Sequence, residues 1–184
     1  MKKHPYISSL VAFVTVLAAG CASSSTPSGP STSYTSKDQA PSNVSVTFKD
    51  PEHFTDARSS FNSSTDDYYL DQISAQFKKV SSKYLKDGEK LEITVTDVDL
   101  AGDFVPRGGG TNDMRIIKDI YRPRMALSYK ITGADGKVVK QGDSTPVDQY
   151  FMNNINTIDR NEPLFYDKAL IDTWARDTLG AQAK

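Results

Sequence analysis

Carboxylates at alternating positions are the residues of this chain best placed to do chemistry: Asp97 and Asp99 are two apart, and Asp103 lies close behind. Two acids projecting from one strand face can supply oxygen ligands for a hard cation such as calcium. They can also supply the paired carboxyls of a hydrolase. Arg115, Arg122 and Arg124 follow in the sequence and offer a third use, because a guanidinium presents a planar fork that fits a carboxylate. Pairing is the expectation, since two like charges on one face repel and burial without partners would raise their pKa values. The spacing does not fit an EF-hand loop, and Gly102 is in the wrong place for one. No catalytic residue and no metal ligand is assigned.

Other chemistries are poorly supplied. The 184 residues contain one cysteine, Cys21, and two histidines, of which His4 lies in the N-terminal leader and leaves His53 alone in the body. That inventory excludes an intramolecular disulfide and a Cys- or His-type zinc site. It leaves a nucleophile triad only His53, which has no motif around it. Arg107-Gly108-Gly109-Gly110-Thr111 lacks the Gly-Lys-Ser/Thr ending and the strand–turn–helix setting of a phosphate loop, so it is expected to be a plain loop. No cofactor is expected. With 22 basic and 23 acidic residues the chain has no basic footprint for nucleic acid, although Tyr121-Arg122-Pro123-Arg124 and Phe165-Tyr166-Asp167-Lys168 interleave rings with charges.

The elements that must position the acids can be read from periodicity. Leu91, Ile93 and Val95 alternate with polar residues, and then the apolar side changes to Val98 and Leu100. A bulge near Thr96, or a strand leaving the core there, would produce that change. Val44, Val46 and Phe48 form an earlier half-buried strand. A helix is expected from about Asp66 to Lys86, capped by Ser64 or Thr65, with Leu70, Ile73, Phe77, Val80 and Tyr84 in one stripe. Met114 to Tyr121 reads as a strand broken by Pro123. Met125 to Ile131 reads as the clearest strand of the chain, turning at Asp135-Gly136 into Lys137 to Gln141. A short strand or irregular segment is expected over Val147 to Met152. A last helix opens near Asn161 and Pro163 and closes before Gly180. Consecutive strands with few helices imply an α+β domain: an antiparallel sheet of four or five strands with two main helices packed on it.

The N-terminus carries an address. Lys2, Lys3 and His4 precede thirteen uncharged residues, Ile7 to Ala19, which as a helix would reach about 20 Å, too short to span a bilayer core. Residues 1–20 therefore read as a signal peptide. Leu17-Ala18-Ala19-Gly20-Cys21 resembles a bacterial lipobox, in which Cys21 receives palmitate-type acyl chains and becomes the first residue of the mature protein. Ala22 in the next position favours the outer membrane of a Gram-negative cell, with the body facing the periplasm. Removal of the leader takes away Lys2 and Lys3 and leaves 20 basic against 23 acidic residues. The stretch from Ala22 to Asn43 holds eight Ser, three Thr and three Pro, and is expected to be a flexible linker that packs against nothing. The single α+β domain is then 44–184.

Several blocks of this body resemble the domain-of-unknown-function 3016 family. They are Val46 to Glu52 with Phe54-Thr55-Asp56, Val95 to Phe104, Arg122-Pro123-Arg124, Ala134 to Lys137, and Glu162-Pro163-Leu164 with Tyr166 and Trp174. The resemblance implies a secreted or lipid-anchored bacterial protein and carries no catalytic residue. The expected function is a non-enzymatic envelope module, held at the membrane by its lipid and acting through ligand or envelope-protein contacts. The alternative is a carboxylate-dependent or metal-assisted periplasmic hydrolase.

Overall fold

Alternation of apolar and polar residues puts three side chains of each central strand on one face, and two helices cover that face. The computed structural model describes residues 31–37, 43–60, 63–104, 114–153 and 158–180. Residues 1–20, expected to be a signal peptide, Cys21 and the glycine-rich run from Arg107 lie outside the described residues. Among the described residues the main sheet has the order β1-β2-β3-β6-β7, with β1 at Ser33–Thr35, β2 at Val44–Lys49, β3 at Lys90–Asp99, β6 at Arg124–Thr132 and β7 at Val138–Ser144. β4 (Asp103–Phe104) and β5 (Arg115–Ile116) form a separate two-stranded ribbon. The helices are α1 (Asp67–Ser81) and α2 (Phe165–Leu179).

The α+β class with two main helices holds, and the sheet is mostly antiparallel. The exception is β2 with β3, which run parallel from Val44↔Leu91 to Phe48↔Val95 and are joined by α1 as a crossover. Leu70, Ile73, Phe77 and Val80 of α1 are buried against Val44, Val46 and Phe48, and Trp174 of α2 meets Phe77 and Tyr129 edge to face. α1 is shorter than expected. Its cap is Asp66, whose side chain accepts the N–H of Tyr68, rather than Ser64 or Thr65, and a 3₁₀ turn at Ser82–Tyr84 completes the run.

Other boundaries differ for physical reasons. Only Arg115–Ile116 of the segment up to Tyr121 is strand, because its partner β4 is itself two residues long. Beyond it the chain turns, and Pro123 has no N–H to give a ladder. Val147 makes a single bridge to Arg124, and Phe151–Asn153 is a 3₁₀ turn.

The largest departure concerns the stretch expected to be linker. Ser33–Thr35 pairs antiparallel with β2, and the ring of Tyr34 lies 6.1 Å from that of Phe48. The Tyr34 hydroxyl donates to Asp71 of α1 at 2.9 Å, and Ser36 is buried. Serine- and threonine-rich composition hides this strand, yet Tyr34 supplies the one large apolar surface that can offset the entropy of ordering. Replacing Tyr34 by Ala should therefore lower stability by about 2 kcal/mol, from lost ring burial and a lost hydrogen bond. Denaturant unfolding of the two chains checks this, and an unchanged midpoint would show that the segment does not dock.

Candidate functional site

Strand register gathers the acids and arginines at one end of the sheet. β3 passes Val95↔Leu127 and then Asp97↔Ala126, so Thr96 is an extra residue and the ladder shifts there. This bulge is what keeps Val98 and Leu100 buried after Leu91, Ile93 and Val95, and it turns Asp97 and Asp99 to the other side. Gly102 then reverses the chain into β4 with φ of 85°. A Cβ there would stand 2.8 Å from the carbonyl of Ile116, so only glycine fits.

Asp97 and Arg124 pair as expected, with Nη2 donating to Oδ2 at 2.8 Å. Asp97 is further engaged by Thr55, whose backbone N–H donates to Oδ1 at 2.8 Å and whose hydroxyl donates to Oδ2 at 2.9 Å. Both oxygens are thus occupied. Asp99 is different, for it reaches only the Nε of Arg124, at 3.8 Å. Burial raises its carboxyl above the ordinary range, and the opposing pull of Arg124 does not restore it.

Arg115 does not join this pair. It forms a bidentate bridge to Asp56, Nη1 to Oδ2 at 2.7 Å and Nη2 to Oδ1 at 3.1 Å. It also donates to the carbonyls of Gly102 and Arg58 and stacks over the ring of Phe104 at 4.6 Å. Asp56 is fixed by its backbone as well, giving its N–H to Val98 and receiving the N–H of Leu100. Asp103 accepts the N–H of Phe104. Arg122 is exposed and, among the described residues, forms no ion pair.

Most of these groups line a cleft of ≈ 390 Å³, where Asp99, Asp103, Arg122 and Arg124 meet Thr55, Asp56 and Arg58, with Ile120 and Val147 as the apolar part of the wall; Asp97 and Arg115 do not line it. Asp97, Asp99, Asp103, Arg122 and Arg124 lie together at this end, Arg115 pairs with Asp56 instead of the strand acids, and Thr55, Asp56 and Arg58 are not among the residues expected there. Their loop joins the site through the isolated bridge Asp56↔Asp99 and through side-chain bonds to Asp97 and Arg115, and no local pattern announces those contacts. His53 sits apart in a 3₁₀ turn and does not line the cleft. Among the described residues no three His, Cys, Asp or Glu side chains converge as a metal-binding group.

Behind the cleft floor lies a second acid the sequence reading did not weigh. Asp167, in the first turn of α2, is buried, and its Oδ1 accepts the N–H of Ala101 at 3.0 Å. Desolvation pushes this carboxyl up to about 7, against the smaller opposing effects of the Ala101 amide and Arg115. Its neighbour Lys168 is buried too, with Nζ on Glu162 at 2.8 Å and on Gln72 at 3.1 Å.

Comparison with protein families finds that the model of the family described as "Protein of unknown function (DUF3016)" matches residues 42–177, a span that contains the cleft, the Asp56–Arg115 bridge and both helices. Comparison with curated proteins finds no match.

The two strand acids should behave oppositely when neutralised. Asp97→Asn removes a charge-assisted bond from a filled site and should destabilise by about 1–3 kcal/mol. Asp99→Asn removes a charge that burial disfavours, and should leave stability equal or higher at neutral pH. Equilibrium unfolding of both variants checks the pair, and equal losses would contradict the division. For Asp167, the folded state holds its proton up to about pH 7 and the unfolded state only to the ordinary value of 3.8. The folded state therefore binds more protons between those values. This group's stabilisation is full below the ordinary carboxylate range and is lost as pH rises through about 7. Asp167→Asn keeps the acceptor for Ala101 and should flatten that fall, which melting curves across the window would measure.

Proposed function

This chain belongs to the DUF3016 family, and we propose that it acts as a lipid-anchored, non-enzymatic binding module of the bacterial envelope, with the acid–arginine cleft as its binding surface. The observation that carries this reading is the occupancy of the acids. Asp97 has both oxygens filled by Thr55 and Arg124, and Asp56 is held by Arg115. Carboxylates so engaged position the backbone and are not poised to move protons. What remains for a ligand is a mixed surface, Arg122 and Asp99 across a cleft with an apolar wall. That combination suits a polar ligand or peptide segment carrying both signs of charge.

The anchoring part of the proposal rests on the sequence. Leu17 to Cys21 has the form of a lipobox at the end of an uncharged run, and acylation with more than one chain gives stable membrane attachment. The outer membrane is the proposed site, with the body in the periplasm. One observation favours the alternative of a periplasmic hydrolase: Asp99, raised by burial and open to the cleft, has the character of a general acid. It lacks a second free carboxylate on β3, because Asp97 is taken.

Mass spectrometry of the protein from its native membrane tests the anchor. Trypsin should yield a first peptide running from Cys21 to Lys37 with acyl chains on Cys21. Cys21→Ser should yield none, and an unmodified Cys21 peptide from the wild-type chain would overturn the anchor.

A further inference from the structure

The chain enters the domain at the same end of the sheet that carries the cleft. β1 runs antiparallel to β2, so Ser33 stands beside Lys49, and β2 runs parallel to β3, whose last residues are Asp97 to Asp99. The entry point is pinned: Asp50 donates its N–H to the carbonyl of Thr32 at 2.7 Å, and the Ser31 hydroxyl bonds the Asp50 carboxylate. From Cys21 to Ser31 there are ten steps of chain. Fully extended they span at most about 35 Å, and as a flexible chain their root-mean-square reach is about 17 Å. An acylated Cys21 would therefore hold this end of the domain, and not the opposite one, toward the bilayer.

Several large apolar side chains are exposed at that end, on loops, while Val138 and Val139 are exposed on the strand at the opposite end. Ile120 is 65% exposed, Tyr150 71%, Val147 44% and Met152 43%. Ile120 and Arg122 lie between the cleft and a smaller hollow of ≈ 240 Å³ beside Tyr150, Phe151 and Met152. Apolar groups gathered on loops mark a contact surface. Tyrosine with its polar tip is suited to the headgroup level of a membrane, and Arg122, exposed and without an ion pair among the described residues, is suited to a phosphate.

We infer that this end of the domain rests on the lipid surface that holds Cys21, with Ile120, Tyr150 and Met152 entering the headgroup boundary and Arg122 meeting a lipid phosphate. The inference depends on the anchoring reading above. Asp119 lines the same hollow, so the patch is not strongly basic, and its adhesion leans on apolar contact. A patch this small binds weakly in free solution. Tethering by a short linker raises its effective concentration near the surface to the millimolar range, which makes a weak contact an occupied one.

The test uses the full processed, acylated chain in vesicles of phosphatidylethanolamine and phosphatidylglycerol. With Cys21 acylated, a cysteine introduced by Ile120→Cys, Tyr150→Cys or Lys137→Cys is the free thiol, and each is labelled with an environment-sensitive dye. Ile120 and Tyr150 are exposed, so these changes leave the core untouched, and Lys137 lies in the turn at the far end of the sheet. The expected result is a blue shift, and quenching by lipids spin-labelled near the headgroup, at 120 and 150 but not at 137. Water-like emission at all three positions, on protein that floats with the vesicles, overturns the inference and leaves the anchor standing. Blue shifts at 120 and 150 that appear in native envelopes but not in pure lipid assign the patch to a protein partner and also overturn it. Protein that fails to float removes the anchor, and this inference with it.

Discussion

The bidentate bridge between Asp56 and Arg115 ties together the cleft end of this domain. It joins four segments that share no continuous secondary structure: the loop before α1, the end of β3, the reversal at Gly102 and the ribbon strand β5. Taking two charges out of water is expensive, and their attraction offsets that only when the remaining donors and acceptors are also satisfied. Here they are satisfied, by the carbonyls of Gly102 and Arg58 and by the face of Phe104. What the bridge contributes is position: together with the backbone bonds of Asp56 to Val98 and Leu100, it holds the loop carrying Thr55 over β3.

Thr55 in turn decides the fate of the strand acids. The bulge at Thr96 delivers Asp97 and Asp99 to the same side of the sheet, two residues apart and chemically equivalent in sequence. Their environments then diverge, because Thr55 reaches Asp97 and nothing comparable reaches Asp99. One carboxylate becomes a structural fixture and the other is left half-buried at the edge of a cleft. Asp167 repeats the contrast more deeply, with a backbone amide as partner and no cation in direct contact. A fold with three acids in three degrees of satisfaction has its pH sensitivity concentrated in the least satisfied ones.

Much of this was legible in the sequence, and the limits have physical causes. The reversal of alternation from Val95 to Val98 marked the place near Thr96 and left a bulge or a departure from the core as its causes, because a period of two cannot otherwise change side; the register shows the bulge. The stripe on α1 and the Asp135-Gly136 hairpin were legible for similar reasons, since helix faces and tight turns are written in neighbouring residues. The parallel pairing of β2 with β3 was not, because an alternating strand reads the same whichever way its neighbour runs. The partner of Arg115 was not either: Asp56 is far away in sequence, and guanidinium–carboxylate pairs leave no periodic trace. β1 escaped notice because three residues are too few to show alternation, and its stability comes from Tyr34 meeting Phe48 and Asp71 across the fold.

β1 also has a mechanical meaning. Its hydrogen bonds to β2 lie across the strand direction, and the chain leaves toward its N-terminus along that direction. A pull on the chain from Ser31 along the strand axis loads those bonds, together with the Tyr34–Asp71 contact, in shear and all at once instead of peeling them one by one. Small forces therefore leave the attachment intact. Once it yields, residues 31–43 would be free to extend, and the greatest span of the chain ahead of β2 would grow by about 45 Å. Three paired residues thus set how far the body can stand from any point that pulls on its N-terminal side.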